Sequence, residues 1–114
     1  MLTVEKLASF GADTAAGLAR CMNNEAFYLR LVNTELGDAN FGKLQDALSS
    51  GKTQEAFAAA HALKGVLGNL ALTPIYQPVS ELTELLRNAD GQADLGDLPE
   101  RIRKACAELR ALAE

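Results

Sequence analysis

Apolar residues recur every three to four positions along most of this 114-residue chain, and polar punctuation cuts that rhythm into helices. The first unit is a short helix from Thr3 to Ser9 that ends at Gly11. Asp13 caps a second short helix, expected to carry Leu18, Cys21 and Met22 inward. Asn24 caps a third, with Glu25 in the first turn, where the helix dipole favours negative charge. Phe27 and Leu31, with Tyr28 and Val32, repeat at four-residue spacing. Gly37-Asp38-Ala39-Asn40 interrupts the pattern, and Phe41, Leu44, Ala47 and Leu48 resume it as far as Ser49-Ser50-Gly51, a stop with glycine at its end.

Thr53 opens the central helix, whose apolar stretch reaches Leu70. Thr73-Pro74 restarts the chain as a cap followed by proline at the first helical position. Ile75, Val79, Leu82 and Leu86 form the next stripe, and Pro78, early in it, removes one backbone donor and predicts a local irregularity. Residues 88–97 read as a flexible polar loop. Asp97 caps the last helix, whose stripe is Leu98, Ile102, Cys106, Leu109 and Leu112. The fold class predicted is all-α: an antiparallel four-helix bundle with short extra N-terminal helices, in a single domain over 1–114.

Composition supports that reading. Alanine and leucine dominate, both strong helix formers, and β-branched residues are few. The net charge of −4 argues against nucleic acid, which needs a basic surface to displace counterions. No run reaches the ~18 apolar residues of a membrane span. Met1-Leu2-Thr3-Val4-Glu5-Lys6 lacks the charged-then-apolar order of a signal peptide, so a cytoplasmic protein is expected. Cys21 and Cys106 fall on apolar positions and read as buried reduced thiols. With one histidine, they cannot supply the roughly four ligands of an ordinary zinc site, and no metal or other cofactor is called for.

The chemistry concentrates around His61, the only histidine. On a wheel of 100° per residue, Ala56, Ala59, Ala60, Leu63, Leu67 and Leu70 gather in one arc. His61 lies about 150° from the centre of that arc and should face solvent. Phe57 stands one turn before it, Lys64 and Gly65 one turn after, and Gly68 two turns after. A glycine inside a helix costs about 1 kcal/mol relative to alanine. Two of them beside the histidine suggest room for another body to approach the imidazole; the bland alternative is a tolerated weak spot, or a fraying end at Gly68. A neutral imidazole is a nucleophile that can form a covalent intermediate. Lys64 could offset an anion attached there, or simply be solvated charge.

The string Ala60-His61-Ala62-Leu63-Lys64-Gly65-Val66-Leu67-Gly68-Asn69-Leu70 resembles the histidine phosphotransfer (HPt) motif. Phe27 through Gly51 is similar to the segment preceding the histidine helix in that family, and Leu72-Thr73-Pro74 through Arg87 to the helix that follows, so the bundle core is placed at about 24–112. The resemblance implies a four-helix bundle and a phosphocarrier without its own nucleotide site, with His61 phosphorylated, Lys64 as the neighbouring charge, and Phe57, Ala58, Gly65 and Gly68 as the partner-docking positions. The partners implied are a response-regulator receiver domain and a hybrid sensor histidine kinase, with the chain a monomer. The Met1 start favours a free-standing protein. Two departures stand out: Val66 and Leu67 occupy positions where many members have Ser or Ala, and Ala71 one where Gly is frequent. A competing reading is a helical adaptor that docks such a partner without turning over phosphate. An independent enzyme is disfavoured because the sequence has no P-loop string, no HExxH and no second histidine. On the phosphocarrier reading, Gly68 is expected to act as an open gate for the partner, so Gly68→Gln should hold or raise stability while lowering transfer.

Overall fold

The computed structural model describes residues 1–89 and 94–114. Among these described residues there are seven helices and no strand: α1 (Val4–Phe10), α2 (Thr14–Arg20), α3 (Glu25–Leu36), α4 (Ala39–Ser49), α5 (Thr53–Asn69), α6 (Thr73–Arg87) and α7 (Leu98–Ala113). Local capping explains several of the boundaries. Side chains of Thr3, Asp13 and Asn24 each accept from the backbone N–H three residues on, those of Lys6, Ala16 and Phe27, at 3.0–3.1 Å. Asp38 accepts from Asn40 N–H at 2.8 Å, which starts α4 directly after the break at Gly37. Each bond satisfies an amide that a helix start leaves without a partner. Gly11 closes α1 with φ of +110°, a conformation that glycine adopts without a steric penalty.

The three-residue connections 50–52 and 70–72 turn α4, α5 and α6 back on one another, and α7 returns along α6. These four helices form the bundle. α1 and α3 pack against α7, and α2 against α1 and α3. All six residues assigned to the inward arc of α5 are buried, none more than 4% exposed. Three of them are alanines, whose small side chains let α4 and α6 come close. Tyr28, Val32, Val79, Leu82 and Leu109 fill the space around them and are essentially inaccessible. Burying a side chain of this kind fully contributes about 1.5–3 kcal/mol.

Several expectations require correction. Met22 does not point inward: α2 ends at Arg20, Cys21 is the cap, and Met22 turns into left-handed backbone (φ +57°) that leaves it 90% exposed. Thr73 is not the cap of α6. Leu72 holds that position, Pro74 falls at the second helical residue, and the Thr73 hydroxyl donates back to Ala71 O at 3.5 Å. At Pro78 the helix runs on without a break, with the ring buried against the core; tertiary packing outweighs the lost donor. Asp97 is the N-cap by position, but its side chain makes no capping bond and lies 4.0 Å from Arg101. Residues 88–89 and 94–97 do connect helices, whereas the middle of the expected polar loop, 90–93, lies outside the described residues.

Both cysteines are free and buried, as expected of core thiols. Burial pushes the Cys106 thiol up to about 11, against the opposing pull of Arg110. Where α3 meets α7, Glu35 is 6% exposed and its Oε2 has no hydrogen-bond partner. Desolvation, reinforced by the carboxyl of Asp38, raises the Glu35 pKa to about 8.

Candidate functional site

His61 is exposed on the outward side of α5, as its wheel position predicts. The Phe57 ring lies one turn back, 5.7 Å from the imidazole between centroids and tilted by 38°. Phe57 is itself covered on one face by the Arg87 guanidinium from α6, 5.1 Å from the ring centroid. A cation over an aromatic face at this distance is attractive and holds the ring in place. Arg87 also bonds Glu84, at 3.3 Å from Nε to Oε2, and the other Glu84 oxygen lies 3.5 Å from Lys64 Nζ. Chiefly through Arg87 and secondarily through Lys64, the Glu84 carboxyl is held below its ordinary range. Lys64 therefore stands beside His61 on the helix, but its charge is shared with a carboxylate of α6.

The two glycines differ. A side-chain carbon built at Gly65 would meet nothing within 4 Å, so the surface one turn beyond His61 is open. At Gly68 the same carbon would lie 2.9 Å from Cε1 of Tyr76, closer than side chains tolerate. The space beside Gly68 is taken by a ring from α6. The expectation of an open gate is corrected accordingly: the clearance at Gly68 seats Tyr76, and the unoccupied space lies at Gly65.

A cleft of about 400 Å³ gathers most of these groups; Arg20, His61, Lys64, Gly65, Gly68, Asn69 and Tyr76 line it. Ala58 does not. It is exposed on a separate surface beside Lys43, Lys52 and Glu55. Val66 is 40% exposed, whereas Leu67 is fully buried and absorbs its departure from small residues by packing.

Arg20 is the site residue that the sequence pattern did not reveal. Its Nη1 donates to Gly68 O at 2.7 Å and to Asn69 O at 3.2 Å. Two neighbours continue this pattern: Tyr28 Oη donates to Leu70 O at 2.8 Å, and Asp13 N–H to Ala71 O at 2.9 Å. The N-terminal segment thus supplies donors to four successive carbonyls, Gly68 to Ala71, at the end of α5, where the helical bonding pattern runs out; Gly68 O also accepts from Ala71 N–H at 3.1 Å. Gly17 allows this approach, because a side chain there would meet the Tyr28 ring at 2.5 Å. Ala71, where the resembling family often has glycine, adopts left-handed backbone with φ of +58°. A non-glycine residue there costs about 1–2 kcal/mol, which gives glycine at that position a physical reason.

An exposed imidazole, two cations and an unobstructed surface make a place where an anionic group can be delivered to nitrogen. Among the described residues no cluster of three His, Cys, Asp or Glu side chains could hold a metal ion, and no helix is long and apolar enough to cross a membrane. In comparison with known proteins, the family model described as Hpt domain matches residues 34–112. Neither the curated proteins nor the solved structures gave a match.

Proposed function

The chain belongs to the Hpt domain family, and on that premise we propose that it carries a phosphoryl group on His61, received from the aspartate of a receiver domain or from a sensor kinase and passed to a second such partner. Family membership assigns the chain to phosphotransfer in two-component signalling. The reading for His61 rests on one observation above the others: the only histidine of the sequence is exposed on α5 and lines a cleft with Arg20, Lys64 and the open surface at Gly65.

The step needs little machinery. The unprotonated imidazole nitrogen attacks phosphorus in line with the aspartyl oxygen. The N–P bond forms, the acyl O–P bond breaks, and the partner's carboxylate leaves with the electron pair. Return transfer is the reverse. The phosphoryl group brings about −1.5 to −2 charges when carried on a hydroxyl side chain, and an imidazole-bound one is likewise anionic. Lys64 then exchanges its contact with Glu84 for the phosphoryl oxygens, which is inexpensive because an exposed ion pair is weak.

The test is incubation of the chain with receiver domains phosphorylated by acetyl phosphate, with the label followed onto the chain. Transfer that disappears in His61→Ala supports the reading. Tight association with a receiver but no label on the chain would mean that it is an adaptor. The isolated chain should take no label from ATP.

A further inference from the structure

We infer that Arg20 is a docking residue of the His61 cleft, the second positive charge that receives the anionic, phosphorylated face of a receiver domain. This rests on the phosphocarrier reading of His61 and extends it to a residue of the N-terminal helices, outside the matched span 34–112.

Two cations line the cleft, and they differ in what offsets them. Lys64 lies 3.5 Å from a Glu84 carboxylate oxygen. Arg20 has no carboxylate within ion-pair distance among the described residues. In a chain of net charge −4, Arg20 is therefore the cation of this cleft whose charge remains available to an incoming anion.

Its donors tell the same story. A guanidinium offers five N–H groups in a planar fork. Nη1 alone makes both bonds to the α5 carbonyls, which fixes the head group. The three N–H groups on Nη2 and Nε take no part in those bonds, and that geometry suits a carboxylate or phosphate. An arginine anchored on one side and open on the other loses little freedom on binding.

Its position argues for docking over chemistry. Gly68, which Arg20 bonds, is seven residues beyond His61, or about 10 Å along the helix at 1.5 Å per residue. A group held there meets the partner's surface around the reacting phosphorus, while Lys64 stands next to the phosphoryl group itself. Loss of Arg20 should therefore weaken productive encounter and leave the chemical step nearly untouched.

Three variants separate charge from helix capping. Arg20→Gln keeps an N–H donor for the α5 carbonyls and removes the charge, Arg20→Lys keeps the charge, and Arg20→Ala removes both. Transfer is measured from receiver domains phosphorylated with acetyl phosphate, at low and high salt. Direct modification by phosphoramidate and thermal melting are measured in parallel. In the phosphoramidate reaction the donor's P–N bond breaks, the imidazole N–P bond forms and ammonia leaves. Arg20→Gln and Arg20→Ala should raise KM for the phosphorylated receiver about fivefold with kcat within about twofold, and Arg20→Lys should stay near the parent, as expected for one docking charge. The difference should shrink at high salt, where exposed charges are screened. Phosphoramidate should modify all variants at the parental rate.

A parental KM in Arg20→Gln would overturn the inference. So would equal losses in all three variants that track their melting temperatures and persist at high salt, because Arg20 would then be only a cap for α5. A parent protein that phosphoramidate labels on His61 but that exchanges phosphate with no receiver would instead defeat the phosphocarrier reading, and this inference with it.

Discussion

Gly65 and Gly68 lie three residues apart on one helix, within the same family-like string, yet they make room for different things. Beside Gly65 a side chain would enter empty space. Beside Gly68 it would run into the Tyr76 ring of the neighbouring helix. The first glycine keeps the approach to His61 open from outside, and the second lets α5 and α6 close on each other from within. Helical glycine therefore has two opposite physical meanings, an absence of contact and an unusually close contact. Only the position of the next helix tells them apart.

Stability comparisons between the two positions need a fixed pH, and Glu35 shows why with the largest effect expected here. Its pKa is raised from 4.5 to about 8 in the folded chain, so folding favours the neutral acid. The stability this contributes is fully present below pH 4.5 and is lost as pH rises through about 8. Denaturant unfolding should show a fall on the order of 5 kcal/mol across that window, since each unit of the shift from 4.5 to about 8 corresponds to about 1.4 kcal/mol. Glu35→Gln should flatten the profile; an unchanged slope would show that the seam between α3 and α7 admits water.

Gly65→Gln comes next. It should gain about 1 kcal/mol of stability from helix propensity. Transfer from a phosphorylated receiver should fall roughly 100-fold, because a displacement of about 1 Å in the reacting pair can cost that much. Phosphoramidate, which needs less clearance, should still modify His61. Parental transfer in this variant would erase the distinction between the two glycines.

Gly68→Gln should lower stability by about 1–2 kcal/mol as the Tyr76 ring is forced aside. On a Tyr76→Ala background the same change should become stabilising, by up to about 1 kcal/mol from propensity. Matching effects on the two backgrounds would show that the ring has another place to go.

The smallest effects belong to the charges. Lys64→Ala should shorten the phosphohistidine lifetime severalfold, and Glu84→Gln should lengthen it by releasing Lys64, both modest changes because an exposed pair is only weakly coupled. Opposite signs in these two variants sharpen the view that the open side of α5 is tuned by α6. Equal lifetimes in parent and variants would show that neither charge reaches the phosphoryl group.

What could be read from the sequence follows the range of the interactions involved. Asp13 and Asn24 are legible as caps because each accepts from an amide only three residues away, whereas Thr3 reads as the first helical residue and Asp38 as part of a break, although both accept cap bonds. The exposure of His61 follows from the period of α5 alone. Met22 and Thr73 were misplaced because a helix boundary one or two residues off turns an inward side chain outward or removes a cap. Arg20 was illegible because its acceptors are 48 and 49 residues away. Locally it is only a basic residue in the last turn of a seven-residue helix. Lys64 likewise looked free because Glu84 belongs to the next helix. Tyr76, two residues after Pro74, gave the one available hint, an aromatic ring placed to meet a glycine across a tight turn.

The central claim is that His61 is the residue that carries phosphate. The most direct measurement is site mapping, by tandem mass spectrometry at neutral to alkaline pH, of the chain after exchange with a phosphorylated receiver domain. The account predicts a single acid-labile phosphoryl group on His61 and none on His61→Ala, with the variant's helicity and melting temperature close to the parent's, since exposed substitutions usually change stability by less than about 0.5 kcal/mol. A phosphoryl group on any other residue, or one that survives in folded His61→Ala, would contradict it.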